Sequence, residues 1–452
     1  MAQRFEEFAA GLSYEDVPEA MRALLRVSFV DTMGVAAIGA TTEMSQIARK
    51  STLRLFGAGS AGAARMLMDG REVSPVGAAM AGGFTVDSVD AHDGTTPNKG
   101  HVGSAVFPAL LAVADAMRAE GRAITGAEFM LWLAIGYEIS TRAGKAQHAT
   151  CPDYHTSGSW TAVGVAVAVA RMLGASGEQM RHAAGIGEYH GPRSQMMRCI
   201  DFPTMVRDGV GWGAPTGVTA AYLALDGFTG APALTCESED AAPFWAGLGS
   251  DWMALADTHY KKYPCCRWAH PSMDAAVALM EENGLHHSDV ARVEIRTFHY
   301  ATRLAGHRPK SMDELAYSIA FPVATMIVRG GFGAAEMDAA VLDDADIIRI
   351  SEATELIDDD EMTARSVAKR WAAVTLETKD GRRFAAEPRS ARGDVDAPLS
   401  AEEMSDKYHM FADPVLGRAR AEEIKALGAR FDTLDAKGFA ELLDLVLAAP
   451  QA

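Results

Sequence analysis

The chain has few cysteines and no long apolar runs. Its five cysteines form no paired framework, and the adjacent pair Cys265 and Cys266 is a poor candidate for an ordinary disulfide, so a reducing, cytoplasmic setting is expected. Residues 1–18 are acidic and hold no apolar signal segment. Apolar stretches such as Trp160 to Met172 are interrupted by Gly or Thr and are too short to cross a bilayer. A membrane protein is therefore not expected.

Positive charge is also scarce, because the formal net charge is −18. A surface this acidic is a poor partner for nucleic acid. No GxGxxG segment follows a strand and no Walker pattern is present, so the sequence gives no support for nucleotide binding. If the chain binds an anion, the cations that hold it must be gathered locally, which directs attention to Lys and Arg near histidines.

Strand-like sequence is nearly absent before about residue 250. Apolar residues there recur at helical spacing, separated by Gly or Pro, and the segments are rich in Ala and Gly, which favours a bundle of closely packed buried helices. Because 452 residues exceed one compact core, two domains are expected. The predicted helices of the first domain are Val17 to Gly39, Val106 to Met117, Gly126 to Arg142, Trp160 to Leu173 and Gly217 to Leu225.

The pattern changes after about Tyr260. Residues 289–300 alternate apolar and polar side chains as a half-buried strand does, and residues 374–385 predict a hairpin with an Asp-Gly turn. Helices are predicted at 322–329 and 334–342, which makes this a smaller α+β unit. The charged amphipathic helices after Ser400 could rejoin the first domain. The predicted fold is mainly α, with an all-helical domain over 1–258, completed by 399–452, and an α+β domain over 259–398.

The densest polar segment, residues 87–101, is a loop that precedes an apolar helix. Free N–H groups and the dipole at that helix start would favour an anion, and His101 there would hold a proton weakly, as suits a general base near neutral pH. A solvated turn with a capping Asp and a metal site from His92, Asp93 and His101 are the alternatives. The ionisable residues of the segment are Asp87, Asp90, His92, Asp93, Lys99 and His101.

Three further segments carry polar candidates. Residues 151–158 form another loop before an apolar helix and include His155. Residues 259–276 concentrate positive charge between Pro264 and Pro271, where irregular backbone lets side chains converge. Cys265 and Cys266 lie in that segment, where packing is favoured over a nucleophile because no Cys–His signature accompanies them. The candidates of this segment and of the Gly-rich segment 193–217 are Tyr260, Lys261, Lys262, Arg267, His270, Arg193, Arg198 and Arg207.

Taken together, these segments resemble the MmgE/PrpD family, whose members include dehydratases, decarboxylases and epimerases of small carboxylic acids. The resemblance lies in the number and order of motifs along most of the chain. They are VDTMGVAAIGA at 30–40, the 87–101 loop with the helix after it, GYEISTRAG at 136–144, YHTSGSWTAVG at 154–164, the stretch 204–230, YPCCRWAH at 263–270, LAYSIAFPVATMIVRGGFG at 315–333 and PLSAEEMSDKY at 398–408.

The resemblance implies a helical domain and an α+β lid with the active site between them, no metal or organic cofactor, and a homodimer. It places family polar positions on Asp87, His101, His155 and His270, and a cationic position on Arg207. Two family positions differ: a threonine corresponds to Ala91, and a tyrosine expected near 321 is Phe321. Arg207 stands where lysine is common, which keeps the charge but changes its geometry.

The predicted chemistry is removal of a proton next to a carboxylate, whose carbanion must be stabilised electrostatically. His101 or His155 would be the base, the remaining histidine or His270 the acid, and Asp87 or Asp90 would orient a histidine. A hydro-lyase of a citrate-like acid is the preferred hypothesis. An epimerase, a metal-dependent hydrolase and a non-catalytic polycarboxylate binder are the alternatives. The residues expected to hold the small anionic substrate are His92, Lys99, Arg207, Lys262 and Arg267.

Overall fold

Two separate hydrophobic cores organise the chain in this computed structural model, which describes residues 4–304 and 306–450. The first core collects apolar side chains from residues 5–254 and 408–447. The second collects those of residues 263–376, together with a short segment at 196–200. Helices predominate in both, so the mainly α class is confirmed.

The helices of the first core pack closely because small residues face one another. A Cβ on Gly164 would lie 2.0 Å from the Ser140 Oγ, so only glycine allows this approach. The helices are α1 (Phe5–Gly11), α2 (Glu19–Gly39), α3 (Glu43–Leu55), α4 (Pro75–Asp87), α5 (Gly103–Ala119), α6 (Gly126–Thr150), α7 (Gly158–Met172), α8 (Gly177–His190), α9 (Met197–Asp201), α10 (Val210–Leu225), α11 (Leu234–Glu237), α12 (Ala242–Trp245) and α13 (Met253–Asp257).

Helix α10 begins seven residues before the predicted start at Gly217, which corrects that boundary. The sequence GVGWGAP looks like a loop because it is rich in Gly and Pro. In the structure these glycines serve packing instead: a Cβ on Gly213 would lie 2.6 Å from the Cα of Gly158 in α7. Close contact between α7 and α10 therefore explains the composition.

A small mixed sheet forms one side of the second core. Its strands follow the order β6-β5-β7-β8, where β5 and β6 are parallel, β5, β7 and β8 are antiparallel, and β9 also pairs with β7. The predicted hairpin is confirmed between β7 and β8, where the Thr378 N–H donates to the Arg382 carbonyl across the turn. The sheet strands are β5 (Val290–Thr297), β6 (Thr354–Asp358), β7 (Trp371–Thr378), β8 (Arg383–Ala385) and β9 (Arg389–Ser390).

Within residues 4–304 and 306–450, five α-helices accompany this sheet. The prediction of a single helix over 334–342 is wrong. That segment forms two short 3-10 turns, Ala334–Met337 and Ala339–Asp343, because Asp338 caps the second turn and interrupts the first. Other 3-10 turns are Tyr14–Asp16, Arg267–Ala269, His287–Asp289, His299–Arg303 and Phe431–Thr433. The α-helices are α14 (His270–Glu282), α15 (Met312–Ala316), α16 (Ala320–Arg329), α17 (Ala345–Glu352) and α18 (Asp360–Arg365).

The last three helices return to the first core: α19 (Ala401–Leu416), α20 (Arg418–Gly428) and α21 (Ala436–Leu447). Lys407 of α19 is buried and donates to the Asp31 carboxylate of α2 and to the Ala91 carbonyl, each at 2.7 Å. Burial without that partner carboxylate would be costly. Lys407 therefore connects α19 to α2 through the ion pair with Asp31, and to the loop before α5 through the hydrogen bond to the Ala91 carbonyl.

Short strand pairs complete the fold. Strands β1 (Ala64–Arg65) and β2 (Glu72–Val73) pair within the first core. Strands β3 (Gly94–Thr95) and β4 (Thr258–His259) join the polar loop to the segment that enters the second core. In the described part of the chain no single helix has both the length and the apolarity to cross a membrane, and α2 with α3 passes that test only as a pair bent by 88°.

Candidate active site

The loop at 87–101 is fixed by the carboxylate of Asp93. That carboxylate accepts hydrogen bonds from the Tyr137 hydroxyl at 2.8 Å and from the Gly103 N–H at 3.0 Å, at the start of α5. Asp93 therefore occupies the helix N-terminus that the sequence suggested for a substrate anion. Burial raises the pKa of Asp93 to about 6.

His101 is held in one tautomer by the same residue. Its Nδ1–H donates to the Asp93 carbonyl at 2.6 Å, since a carbonyl can only accept. The Nε2 atom is left with a lone pair, and His101 lines a cleft. Burial, followed by the charge of Lys261, lowers the pKa of His101 well below its ordinary value. An unprotonated imidazole with a fixed tautomer is the form that a general base needs.

Two buried carboxyl groups face this imidazole, and a third lies behind it. The Nε2 of His101 lies 3.7 Å from an Asp208 oxygen and 4.0 Å from an Asp90 oxygen. Asp87 accepts the Asp208 backbone N–H at 3.2 Å and lies 3.1 Å from the Nε2 of His92. Burial and the charges of Asp87 and Asp90 raise the pKa of Asp208 above its usual range, and burial likewise raises that of Asp87. Asp87 and Asp208 therefore hold protons more readily than ordinary carboxyls do.

Asp208 was not among the predicted site residues. It follows Arg207 directly, in a loop between α9 and α10, and the Ser157 hydroxyl donates to its other oxygen at 3.0 Å. The same hydroxyl accepts the His101 backbone N–H at 3.1 Å. Ser157 thus fixes the carboxyl and the imidazole relative to each other. The sequence signal that could have identified Asp208 is its position directly after Arg207, a predicted substrate-binding residue.

Lys261 faces these groups from the other side. Its buried ammonium donates to the Asp90 carbonyl at 2.9 Å and to the Asp90 carboxylate. The sequence favoured the neighbouring Lys262, whose ammonium instead lies 3.3 Å from Asp274 and away from the cleft. Adjacent side chains in irregular backbone point in different directions, so spacing alone could not choose between the two lysines.

These residues border a cleft between the two cores that encloses about 510 Å³, including its open mouth. Cys266 also lines the cleft, but burial raises its pKa to about 12, so the thiol stays protonated and packing is its favoured role. The charged and imidazole side chains that line it are Asp90, Lys99, His101, Asp208, His259, Lys261, Arg267 and Arg370.

Two predicted histidines do not line this cleft. His270 is fully buried, its Nε2 lies 3.1 Å from the Cys265 carbonyl, and its ring packs on Tyr263. His155 is largely buried and pairs through its backbone with Gln195. The expectation that His101, His155 and His270 meet in one cavity is therefore corrected. His259, which the sequence did not select, shares the cleft with His101.

Only some of the predicted substrate-binding residues line the cleft. Lys99 and Arg267 line the cleft, whereas His92, Arg207 and Lys262 do not. His92 lies behind the cleft with its ring centroid 4.1 Å from that of His101, and burial lowers its pKa to about 3. Arg207 is buried and donates to the Ser88 carbonyl at 3.0 Å and to Asp313 at 2.6 Å.

The candidate metal ligands are already engaged by the protein. In the described ranges, 4–304 and 306–450, the ligand atoms of Asp90, His92 and His101 lie within 4.8 Å of one another. The Lys261 ammonium contacts the Asp90 carboxylate, however, and the Nε2 of His92 faces Asp87. The carboxylate of Asp93, which the sequence suggested as a ligand, is bound by Tyr137 and Gly103. The donor set therefore fits an ion pair better than a metal.

Comparison with known proteins gives the family. Residues 3–242 match the MmgE/PrpD N-terminal domain, and residues 263–433 match the MmgE/PrpD C-terminal domain. The chain belongs to the MmgE/PrpD family. It is similar to the cis-aconitate decarboxylase of Aspergillus terreus, with 23% identity, 98% of this chain and 96% of the relative covered. The chain is also similar to the human cis-aconitate decarboxylase, with 23% identity, 90% of this chain and 86% of the relative covered. The mouse cis-aconitate decarboxylase is 20% identical, with 96% of this chain and 91% of the relative covered.

The two departures expected from the MmgE/PrpD pattern have different consequences. Ala91 is buried, and its carbonyl accepts the Lys407 ammonium. Phe321 is buried in the second core and does not line the cleft. Tyr317, four residues earlier, does line it, and the Arg207 guanidinium lies 5.5 Å from its ring centroid. A tyrosine is therefore present at the cleft although residue 321 is phenylalanine.

Backbone strain is concentrated at this site of the MmgE/PrpD chain. In the described part of the chain, four non-glycine residues adopt a left-handed φ, and three of them are Asp90 at 51°, Lys99 at 52° and Arg207 at 46°. Each such residue costs on the order of 1–3 kcal/mol and persists where the surroundings hold it. The strain marks this loop and the segment before α10 as positions where side-chain direction matters more than local stability.

Proposed function

We propose that this chain is a lyase that acts on a small di- or tricarboxylate by moving a proton next to a carboxylate. The observation that carries the proposal is the unprotonated Nε2 of His101, which faces a cation-lined cleft 3.7 Å from the buried carboxyl of Asp208. The similarity to proteins named cis-aconitate decarboxylase supports a lyase and a small carboxylate substrate.

In the proposed hydro-lyase reaction His101 is the base and Asp208 is the acid. The Nε2 takes the proton from the carbon next to a carboxylate, and that electron pair forms the new double bond. The hydroxyl on the neighbouring carbon leaves as water with the proton of Asp208. Each role is typically worth about 10²–10⁴ in rate. The negative substrate would also raise the pKa of His101, so that binding strengthens the base.

Other residues of the site would position these two groups. Asp87 and His92 form a buried pair against the ring of His101 and would keep it oriented. Lys261 compensates the charge of Asp90, so that the cleft does not repel an anion. Arg267 would stabilise the developing negative charge. We assign supporting roles to His155, His270 and Arg207, which lie outside the cleft.

A decarboxylase is the second candidate, because the similar proteins carry that name. In that reaction a substrate carboxylate leaves as carbon dioxide, and the electron pair left on carbon takes a proton from Asp208. Asp208 would be the proton donor in both reactions, whereas His101 would act as a base only in the first. An epimerase and a non-catalytic binder, the alternatives from the sequence, differ from both in forming no new product skeleton.

The decisive experiment is a screen of di- and tricarboxylic acids with purified protein. A hydro-lyase gives rising ultraviolet absorbance from a new C=C bond without gas, and a decarboxylase releases carbon dioxide. Uptake of solvent deuterium without either product would identify an epimerase. Thermal stabilisation without any turnover would identify a binder and overturn the proposal.

We further propose that the α+β unit, residues 259–398, acts as a lid on the helical unit of residues 1–258 and 399–452. The position of the cleft between the two cores supports this, as does the β3–β4 pair that joins them. Ligand binding should slow hydrogen exchange at Gly94 and Thr258 if the lid closes on it. The homodimer stays a prediction, which sedimentation analysis tests.

A further inference from the structure

The cations around the cleft are not equivalent, because most are already neutralised by the protein. The ammonium of Lys261 contacts Asp90. The Arg267 guanidinium lies 2.7 Å from Asp394, and the Arg207 guanidinium, behind the cleft, lies 2.6 Å from Asp313. A cation paired with its own carboxylate is partly compensated, so it attracts a ligand anion less strongly than an unpaired cation does. The basic residues without a carboxylate partner are therefore the best candidates for binding an anionic ligand.

Arg370 is one of them. It directly precedes β7, and its Nη1 donates to the carbonyls of Ser366 at 2.9 Å and Lys369 at 3.1 Å. Its guanidinium also lies 5.7 Å from the Phe298 ring centroid. Among residues 4–304 and 306–450 its other nitrogens have no hydrogen-bond acceptor, and no carboxylate pairs with it. Burial lowers the pKa of Arg370, as expected for a charge withdrawn from water without a counter-ion.

Lys99 is the other, and it comes from the opposite side of the cleft. It is exposed at the cleft and has a strained backbone, and the Tyr154 hydroxyl donates to its carbonyl at 2.6 Å. Its ammonium lies 5.6 Å from the ring centroid of the same tyrosine. No ion pair to Lys99 occurs within the described residues. Burial lowers its pKa, and the charge of Arg370 lowers it further, so the two cations face a shared space.

We propose that Lys99 and Arg370 form a carboxylate-binding subsite that selects substrates with at least two carboxylate groups. This rests on the proposed function and names its substrate class. Two like charges that face one cleft repel each other until anions neutralise them, which makes the pair selective for multiple negative charges. Because Arg370 belongs to the second core and Lys99 to the first, a bound polycarboxylate would also connect the two.

The test is equilibrium binding measured by calorimetry, which does not depend on turnover. The probes are tricarballylate, glutarate and butyrate, with three, two and one carboxylates, and the variants are R370Q and K99M. We expect either variant to weaken tricarballylate binding about 10–100-fold, as loss of a charge-assisted contact does. The loss for butyrate should be several-fold smaller. R382Q is the matched control, because exposed Arg382 pairs with Asp380 in the β7–β8 turn and should bind as the wild type does.

The outcomes separate the two proposals. If R370Q and K99M bind tricarballylate as tightly as the wild type while the wild type turns over an acid in the screen, the subsite is wrong and the lyase stands. If the wild type binds none of the three probes and turns over no acid, both proposals fall. Should R370Q unfold, R370K and K99M decide: R370K keeps the charge without the bidentate fork and should show an intermediate loss. Equal affinity in R370K, K99M and the wild type would overturn the subsite.

Discussion

The two sides of the cleft carry different chemistry. The side built from the first core, here called the proton-transfer wall, is lined by Asp90, Asp208 and His101, with Asp87 and His92 directly behind them. Burial lowers the pKa of its two imidazoles and raises the pKa of Asp87 and Asp208. The side from the second core and its entry segment, the cationic wall, holds His259, Lys261, Arg267 and Arg370. Among the described residues that line the cleft, Lys99 is the one cation on the side of the first core.

Under the proposed function, the difference explains how a chain with a net charge of −18 would bind an anion. The proton-transfer wall alone offers a carboxylate no cation, because it consists of carboxyl groups and of imidazoles with lowered pKa. The cationic wall alone would attract one, but offers no carboxyl as proton donor. Only their juxtaposition supplies attraction and proton transfer in one place. The predictions below alter one wall at a time.

The largest effect is expected from His101→Ala, which removes the base of the proton-transfer wall. Turnover should fall by about 10²–10⁴, while binding of a polycarboxylate changes little because the cationic wall is intact. Initial rates and calorimetry measure the two quantities. His299→Ala, at an exposed histidine paired with Asp358, is the control. Full activity in H101A would remove this residue from the mechanism.

The contact between the two walls is tested by Lys261→Met. Removing the ammonium leaves the Asp90 carboxylate buried and unpaired, which should lower the free energy of unfolding by about 3–5 kcal/mol. Replacing Asp90 by Asn in the same chain removes that orphaned charge. The double variant should therefore regain most of the lost stability in urea unfolding. A double variant no more stable than K261M would mean that the pair does not hold the walls together.

The role of Asp208 is tested through the pH dependence of kcat/KM. A proton donor with a raised pKa is active while protonated, so the rate should be full below that pKa and fall as pH rises through it. His101 has a lowered pKa and is active unprotonated, so the acid limb should lie below pH 6.5. Asp208→Asn should lower the rate by about 10² or more and abolish the alkaline limb. An alkaline limb that persists in D208N would assign it to another group.

Whether a residue of this site could be predicted from the sequence depends on whether it lies in a regular element or in irregular backbone. Regular helices and the strand pattern at 290–297 were readable from periodicity, and so was the polar loop before α5. Asp208 follows a residue with φ of 46° and precedes Gly209 at 70°. No periodicity describes such backbone, so the direction of its side chain could not be predicted.

Arg370 escaped prediction for a different reason. It precedes a strand that the sequence pattern predicts, but no nearby residue indicates that this end of β7 lies beside the loop of Lys99. That proximity comes from packing between the two cores. The functional residues that sequence analysis found were therefore those in dense polar segments, and those it missed depend on long-range contacts.

The smallest effect is expected at Lys262, where the sequence-based assignment and the structure disagree most directly. Its ammonium lies on the outer side of the segment, 3.3 Å from Asp274 and partly exposed, whereas Lys261 next to it is buried in the cleft. An exposed ion pair of this kind contributes about 0–1 kcal/mol. Lys262→Met should therefore change stability by no more than that and leave both the rate and tricarballylate affinity within about twofold of wild type. A tenfold loss of affinity in K262M would show that this ammonium turns toward the bound anion, and the division between the two lysines would then have to be reversed.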